Sequence, residues 1–180
     1  MLKNRFYILM GILLLLGACH NAPHPPEKGK SSGEDKKLEE ALIEANKRAV
    51  SEEQHMIKKY ISRHQWDMNK TGSGVYYGIY NKGNGPKAGS GHRVTIDYTI
   101  ELINGSEAYT TKNKQPKTFV VGQGDVVTGL HRVMPLLSEG DKAKVIIPSH
   151  LAHGISGDQD KIPPKSTLVY DLHVLKVFKQ

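Results

Sequence analysis

The chain has 180 residues, of which 38% are hydrophobic and 24% are charged. This length allows one ordinary globular domain with an additional segment and excludes a large multidomain enzyme. The net charge of +7 is spread thinly, with no run of five or six basic residues and no RNA-binding aromatic signature. We therefore expect no nucleic-acid partner, because solvated lysines are sufficient to explain the charge.

The amino terminus has the layout of a bacterial secretory signal. Lys3 and Arg5 precede an apolar run, Tyr7 to Leu16, that is shorter than the roughly 20 residues of a membrane span. The next residues complete the sequence LGAC, which resembles a lipobox and ends at Cys19. This pattern predicts a signal peptide over residues 1–18 and lipid attachment at Cys19. An ordinary thiol in the signal and a short uncleaved anchor are the alternatives.

Two segments of different composition follow Cys19. Residues 19–35 are rich in Pro, Gly, Ser and charge, which predicts a flexible tether. Residues 36–68 contain no Pro or Gly, and their apolar residues recur at three- and four-residue steps, which predicts an amphipathic helix or helix pair. This apolar stripe could pack on its own domain, form a dimerisation arm or face client proteins.

From Gly72 onwards the pattern is β-rich, with short apolar runs separated by turns. Five runs predict strands, namely VYYGIY, HRVTIDYTIEL, KTFVVG, DKAKVIIP and STLVYDLHVLKVF. Asn104-Gly105 indicates a hairpin turn. The segment VVTGLHRVMPLL predicts one short helix, which Pro135 requires to be brief or distorted. Together these elements predict an α+β domain over residues 71–180.

The sequence offers no cluster of the usual catalytic groups. Cys19 is the only cysteine, so thiol catalysis and cysteine-based zinc sites are excluded along with an intrachain disulfide. His150 and His153 have no third ligand nearby in sequence, and the Gly-rich segments match no phosphate-binding fingerprint. We therefore expect neither a metal nor a cofactor. An apolar pocket is left as the candidate site, although the same residues could simply fill the core.

Several stretches resemble one family when they are taken together. GNGPKAGSGHRVTIDYT, NGSEAYTT, VVTGLHRVMPLLSEGDKAKVIIPSHLAHG and IPPKSTLVYDLHVL occur in the order and at the spacing of FKBP-type peptidyl-prolyl cis-trans isomerases, from about Thr71 to the carboxyl terminus. The lipobox and the predicted helix resemble the periplasmic lipoprotein branch of that family. The junction containing WDM and TGSGVYY is similar to gliding-motility-associated lipoproteins.

The resemblance implies a curved antiparallel β-sheet half-barrel around one short helix, preceded here by an amino-terminal helical arm. The loop from Ser149 to Ser166 would be a flap over a pocket for proline. The implied catalytic residues are Tyr98, Val126, Val127, Leu130, Ile162 and Tyr170, and the implied substrate-binding residues are Tyr109 and His153.

The pocket also departs from the family pattern at several positions. Leu130 replaces a tryptophan of many members, and His153 replaces the flap tyrosine. The pair Ala108-Tyr109 stands in place of Phe-Asp, and Lys117 occupies another aromatic position. Each change removes aromatic area or a buried carboxylate, so the resemblance also implies weaker activity and lower affinity for macrolide inhibitors.

The function implied by the resemblance is isomerisation of X-Pro bonds in exported proteins during their folding. Proline-containing polypeptides would be the clients, and the lipid anchor would hold the protein in the cell envelope, facing the periplasm, where the outer membrane is the expected location. A homodimer through the helical arm is a further expectation. Two alternatives remain open: a binding module or holdase chaperone with little turnover, and a structural envelope lipoprotein.

Overall fold

The computed structural model describes residues 33–124 and 126–179. The predicted signal peptide, Cys19 and most of the predicted tether therefore lie outside the described residues. The elements are, in chain order, α1 (Gly33–His64), β1 (Asn69–Lys70), β2 (Tyr76–Asn81), β3 (Arg93–Leu102), β4 (Glu107–Thr110), β5 (Lys117–Val120), α2 (Thr128–Val133), a 3-10 turn (Met134–Leu136), β6 (Lys142–Ile147), a second 3-10 turn (Ser149–Leu151) and β7 (Leu168–Phe178).

Helix α1 is one continuous helix, not a helix pair. It begins at Gly33, inside the stretch expected to be a tether. Glu34 and Asp35 lie in its first turn and basic residues in its last, so the charges match the helix dipole at both ends. The chain divides into two compact units between Glu44 and Ala45. In the described part of the first unit, residues 33–44 are helical and exposed.

In the second unit, the described residues form an antiparallel sheet of seven strands in the order β1-β2-β6-β7-β3-β4, with β5 also paired to β3. Strand β3 pairs with β7 along its whole length on one side. On its other side it pairs with β5 through Arg93–Ile96 and with β4 through Thr99–Glu101. Five of the strands match the predicted runs, whereas β1, with two residues, and β4, with four, were not predicted.

The middle of the sheet is buried on both faces. Val145 and Ile147 of β6 belong to the core that includes α2, whereas Ile146 between them packs with Ile57 and Tyr60 of α1. Because successive side chains of a strand point to opposite faces, the unbroken apolar run in β6 follows from cover on both sides. The carboxyl-terminal half of α1 and the short α2 therefore cover opposite faces of the sheet.

Helix α2 packs closely against the sheet at Gly129. It has six residues and continues as the 3-10 turn at Pro135, so the distortion expected at that proline is present. Gly129 permits the close approach, because a Cβ there would lie 2.2 Å from Cγ2 of Ile147. Of the residues that the structure describes, none belongs to a helix long and apolar enough to cross a membrane.

Candidate active site

A cavity of about 560 Å³ opens between α2, the inner face of the sheet and the loop that joins β6 to β7. This size falls within the usual range of about 300–1,000 Å³ for small-molecule pockets. Its lining residues are Tyr98, Ile100, Tyr109, Lys117, Val126, Val127, Leu130, His153, Asp158, Ile162 and Tyr170. The lining is mainly apolar and aromatic and contains no Cys, Ser or Thr.

Two tyrosines on neighbouring strands form one wall of the cavity. Tyr98 of β3 is half-buried and Tyr170 of β7 is 4% exposed, and their ring centroids lie 5.8 Å apart. Burial raises the pKa of both phenols, and the neighbouring Tyr98 raises that of Tyr170 further. Both side chains are therefore neutral at physiological pH. They supply aromatic surface and polar hydroxyl groups to the cavity, not a charged base.

The entrance to α2 forms the opposite wall. Val127 directly precedes the helix and has an extended conformation, with φ −62° and ψ 147°. Both Val127 and the preceding residue, Val126, line the cavity. Leu130 follows one turn later and is 1% exposed. The first N–H groups of a helix have no intrahelical acceptors, so backbone donors cluster at this end of α2.

The loop between β6 and β7 covers the cavity as a flap. Its residue Ile162 is 2% exposed and lies in a turn closed by two hydrogen bonds with Asp158: the Ile162 N–H donates to Oδ1 of Asp158 (2.7 Å), and the Asp158 N–H donates to the Ile162 carbonyl (3.1 Å). Gly157 is required in this turn, because it has φ +68° and a Cβ would lie 2.2 Å from the Ile162 carbonyl oxygen. The turn thus holds Ile162 in the cavity.

Tyr109 of β4 contacts the flap from the other side of the cavity. Its hydroxyl donates to Oδ2 of Asp158 (2.5 Å) and to Oδ2 of Asp160 (3.1 Å), and the Lys161 ammonium lies 5.3 Å from its ring centroid. The hydrogen bond to Asp158 is the main reason that the pKa of Tyr109 is raised to about 12. Burial raises the pKa of Asp158, but the hydrogen bonds from Tyr109, Ile162 and Asp160 outweigh it and lower that pKa to about 2.

Other cavities in the second unit are less suited to an apolar substrate. A cavity of about 500 Å³ beside Trp66 and Tyr80 also contains the ion pair between Lys144 and Asp171 (3.1 Å). Among residues 33–124 and 126–179, no group of three or more His, Cys, Asp or Glu side chains could hold a metal ion. The cavity under the flap is therefore the best candidate for the functional site.

The structure brings together all eight residues implied as catalytic or substrate-binding. Tyr98, Val126, Val127, Leu130, Ile162, Tyr170, Tyr109 and His153 all line the same cavity. Sequence reasoning missed Ile100 and Asp158. Ile100 could have been found from its position two residues after Tyr98, because alternate residues of a strand share a face. No sequence signal indicated that Asp158 would contact Tyr109.

Comparison with known proteins identifies the family. The sequence model of the FKBP-type peptidyl-prolyl cis-trans isomerases matches residues 85–175, just over half of the chain. The chain belongs to this family. The matched range contains every lining residue of the cavity, so the cavity lies in an FKBP-type isomerase domain.

The relatives agree with this assignment. The chain is 38% identical over 108 residues to a probable FKBP-type peptidyl-prolyl cis-trans isomerase FkpA of Neisseria meningitidis, an alignment that covers 59% of this chain and 39% of the relative. It is 36% identical over 89 residues to the peptidyl-prolyl cis-trans isomerase Fkbp12 of Drosophila melanogaster, covering 49% of this chain and 82% of that one. The chain thus spans well under half of the first relative and most of the second.

Solved structures show the same fold. The crystal structure of FkpA from Escherichia coli superposes with a TM-score of 0.62 at 25% identity, covering 83% of this chain and 74% of that chain. The crystal structure of AtFKBP13 superposes with a TM-score of 0.58 at 28% identity, covering 61% of this chain and 98% of the other. The curved antiparallel sheet around a short helix, expected from the sequence, is therefore confirmed.

Proposed function

We infer that the whole protein is an active prolyl isomerase that acts on proline-containing segments of exported proteins. The observation that carries this inference is the convergence of Tyr98, Ile162, Tyr170 and the α2 entrance on one apolar cavity in an FKBP-type domain. The envelope location is supported by a relative whose name is outer membrane protein MIP of Legionella longbeachae. In this proposal Cys19 carries the lipid that anchors the protein to the membrane, expected to be the outer membrane.

The chemistry requires no nucleophile. Rotation about an X-Pro bond must disrupt amide resonance, with a barrier of about 18–20 kcal/mol. The twisted transition state has lost resonance and part of its dipole, so an apolar cavity stabilises it relative to the planar amide, which water solvates well. A thousandfold acceleration requires only about 4 kcal/mol of such differential stabilisation.

Each lining group has a role in this proposal. The neutral rings of Tyr98 and Tyr170 and the side chain of Ile162 surround the proline ring and exclude water. The backbone N–H of Val127 binds the substrate carbonyl at the entrance to α2. Leu130 forms the floor, and Tyr109 and His153 contact the residues that flank the proline.

Isomerase assays of the full-length protein on an Ala-Leu-Pro-Phe peptide test the proposal. Tyr98→Ala and Ile162→Asp should each abolish acceleration while the circular dichroism spectrum is retained. Tyr80→Ala is the matched control, because Tyr80 is also a tyrosine of the sheet but lies outside the cavity. Equal activity in all three variants would contradict the assigned pocket.

A binding module or chaperone with little turnover is the second candidate. It is favoured by Lys117, a charged residue that lines the cavity at a position where the family pattern has an aromatic residue. This candidate predicts that the wild-type protein binds an unfolded proline-rich chain and suppresses its aggregation without accelerating isomerisation.

The exposed stripe of α1 supports a homodimer as part of the proposal. Apolar side chains along the helix face water. They include Leu38, Leu42, Val50 and Met56, which are between 41% and 62% exposed. A second copy of α1 would cover them. Light scattering of the full-length protein should give a dimer mass, and the double substitution Leu42→Glu with Val50→Glu should give a monomer.

Lipid attachment has its own test. Growth with a labelled fatty acid should transfer the label to the wild-type protein and not to Cys19→Ala. Label in the variant would contradict Cys19 as the attachment residue.

A further inference from the structure

A buried carboxylate of α1 contacts the flap. Glu53 is 9% exposed and lies four residues before Ile57 and seven before Tyr60, on the helix face that packs against the sheet. Its Oε1 accepts hydrogen bonds from the Ser149 N–H (2.7 Å) and the Thr167 hydroxyl (2.6 Å), and its Oε2 accepts one from the Ser149 hydroxyl (3.1 Å). Burial of a carboxylate is unfavourable unless it is compensated, and these three donors compensate it.

The two partners of Glu53 stand at the two ends of the flap. Ser149 follows β6 by one intervening residue, and Thr167 immediately precedes β7. One carboxylate therefore fixes the distance between the residues at which the flap leaves the sheet and returns to it. The packing of α1 does not depend on this contact, because Ile57, Tyr60 and Ile61 already bury apolar surface against the sheet.

Hydrogen bonds continue from Glu53 into the flap. The Ser149 carbonyl accepts from the Gly154 N–H (2.9 Å), and the Gly154 carbonyl accepts from the Lys165 N–H (2.8 Å). These bonds join the outgoing and returning halves of the flap. His153, which lines the cavity, directly precedes Gly154, so a shift at Ser149 displaces a cavity wall.

We propose that Glu53 is a positioning residue of the isomerase, which holds the flap closed over the cavity from a helix that contributes nothing to the cavity lining. This role rests on the proposed function, since the flap carries Ile162 and His153. In this proposal the closed flap, and therefore the shape of the pocket, depends on the packing of α1 against the sheet. A displacement of α1 by a client or a partner would loosen the flap through this carboxylate.

A positioning role and a purely structural role give different kinetics. If Glu53→Ala only unfolded a fraction of the molecules, the apparent kcat would fall in proportion and KM would be unchanged. If it loosens the flap, substrate is held less tightly in the ground state and the transition state alike, so KM rises. A misplacement of about 1 Å can reduce the rate about 100-fold. The flap keeps its other contacts in Glu53→Ala, so we expect a smaller effect, a fall of about tenfold in kcat/KM with most of the change in KM.

The variants form a matched set in the full-length protein. Glu53→Gln should restore near-normal KM, since its amide oxygen accepts from the Ser149 N–H and the Thr167 hydroxyl and its amide nitrogen donates to the Ser149 hydroxyl. Thr167→Val removes one of the three bonds and should have an intermediate effect. Glu52→Ala is the control, because Glu52 is the neighbouring exposed residue of the same helix and should leave KM unchanged.

Hydrogen exchange at the Gly154 and Lys165 amides supplies a readout that does not require turnover. In Glu53→Ala these amides should exchange at least several-fold faster, while amides in the β3–β7 ladder keep their wild-type rates. If the wild-type protein shows no turnover, the proposed function fails, and this measurement alone decides the role of Glu53. Unchanged exchange in the flap, or a fall in kcat at constant KM, would overturn the proposal. If Glu53→Ala does not fold, Thr167→Val is measured in its place with the same criteria.

Discussion

Tyr109 and Asp158 join β4 to the middle of the flap through a hydrogen bond of 2.5 Å from the phenol to the carboxylate. Both residues belong to the lining of the cavity. The flap is therefore held at its ends by Glu53 and in its middle by Tyr109.

The substitution Tyr109→Phe should weaken substrate binding without unfolding the protein. It removes the bonds to Asp158 and Asp160 and keeps the ring that lines the cavity. We expect KM to rise about fivefold, or about 1 kcal/mol, which is less than the roughly 1.5–3 kcal/mol of a hydrogen bond to a charged group because the lost bonds act on substrate only through the flap. Tyr77→Phe is the control, since Tyr77 lies outside the cavity lining. An unchanged KM would show that Tyr109 does not restrain the flap.

The same pair predicts a pH dependence. Asp158 has a folded pKa of about 2, below its ordinary value of 3.8, so its contribution to stability is fully present above pH 3.8 and is lost as the pH falls toward 2. Carboxyl titration by NMR should give this low value in the wild-type protein. In Tyr109→Phe the pKa should rise part of the way toward 3.8, because the Ile162 and Asp160 N–H donors remain. An identical titration in both proteins would exclude the Tyr109 bond as a cause.

Gly129 predicts a steric limit at the helix above the cavity. A Cβ there would lie 2.2 Å from Ile147, so Gly129→Ala must push α2 away from β6. Overpacking of this kind costs about 2 kcal/mol in the free energy of unfolding. Urea denaturation should show this loss, whereas Gly72→Ala should have little effect because nothing lies within 4 Å of its added Cβ. Equal midpoints for the two variants would show that α2 has room to shift.

The fold was predictable because its signals are local. The alternation of apolar and polar residues in HRVTIDYTIEL predicted β3, and the continuous apolar run VIIP predicted β6. The Asn104-Gly105 turn predicted the hairpin after β3. The spacing of Ile57 and Tyr60 gave the helix but not its partner, because periodicity shows that a face is apolar and does not show what covers it. Packing of that face on the outer side of the sheet therefore came only from the structure.

The site was predictable only where a motif carried it. Tyr98, Val127 and Ile162 occur in stretches that resemble the family, whereas Glu53 and Asp158 act through contacts with residues distant in sequence. Glu53 stands at helical spacing from Ile57 and Tyr60, so periodicity places it on the packed face of α1 and separates it from exposed Glu52. Its hydrogen-bond partners, Ser149 and Thr167, are distant in sequence, so its contact with the flap came only from the structure.

Lys117 predicts a gain of function. Lys117 lines the cavity, and a charged group beside the substrate would keep water near a transition state that favours an apolar environment. Lys117→Met removes the charge and nearly keeps the length of the side chain, so we expect kcat/KM to rise about threefold for an uncharged peptide, which corresponds to about 0.65 kcal/mol in the activation barrier. Lys112→Met is the control, because Lys112 is exposed and outside the cavity. If kcat/KM does not rise, or rises equally in the control, Lys117 does not limit turnover.

Asp141 predicts a pH-dependent contribution to stability outside the site. It is 0% exposed and accepts hydrogen bonds from the N–H groups of Gly83 and Ser138 (both 2.7 Å) and from the Lys82 ammonium (3.0 Å). Burial raises its pKa, but these three donors outweigh burial, and the pKa is lowered. The carboxylate thus joins the loop after β2 to the turn before β6.

Asp141→Asn should destabilise the protein most at neutral pH. One amide oxygen replaces two carboxylate oxygens, so the new NH₂ group faces a donor, and we expect a loss of about 3 kcal/mol in the free energy of unfolding. Because the folded pKa is below the unfolded value, the wild-type contribution is complete above pH 3.8 and declines as the pH falls below it. Urea titrations at a series of pH values should therefore show the difference between wild type and variant shrinking below pH 3.8. Asp97→Asn is the control, because Asp97 of β3 is partly exposed, and it should show a small difference at every pH. If the difference between wild type and Asp141→Asn stayed constant with pH, the negative charge of Asp141 would make no contribution to stability, and only the shape of its side chain would matter.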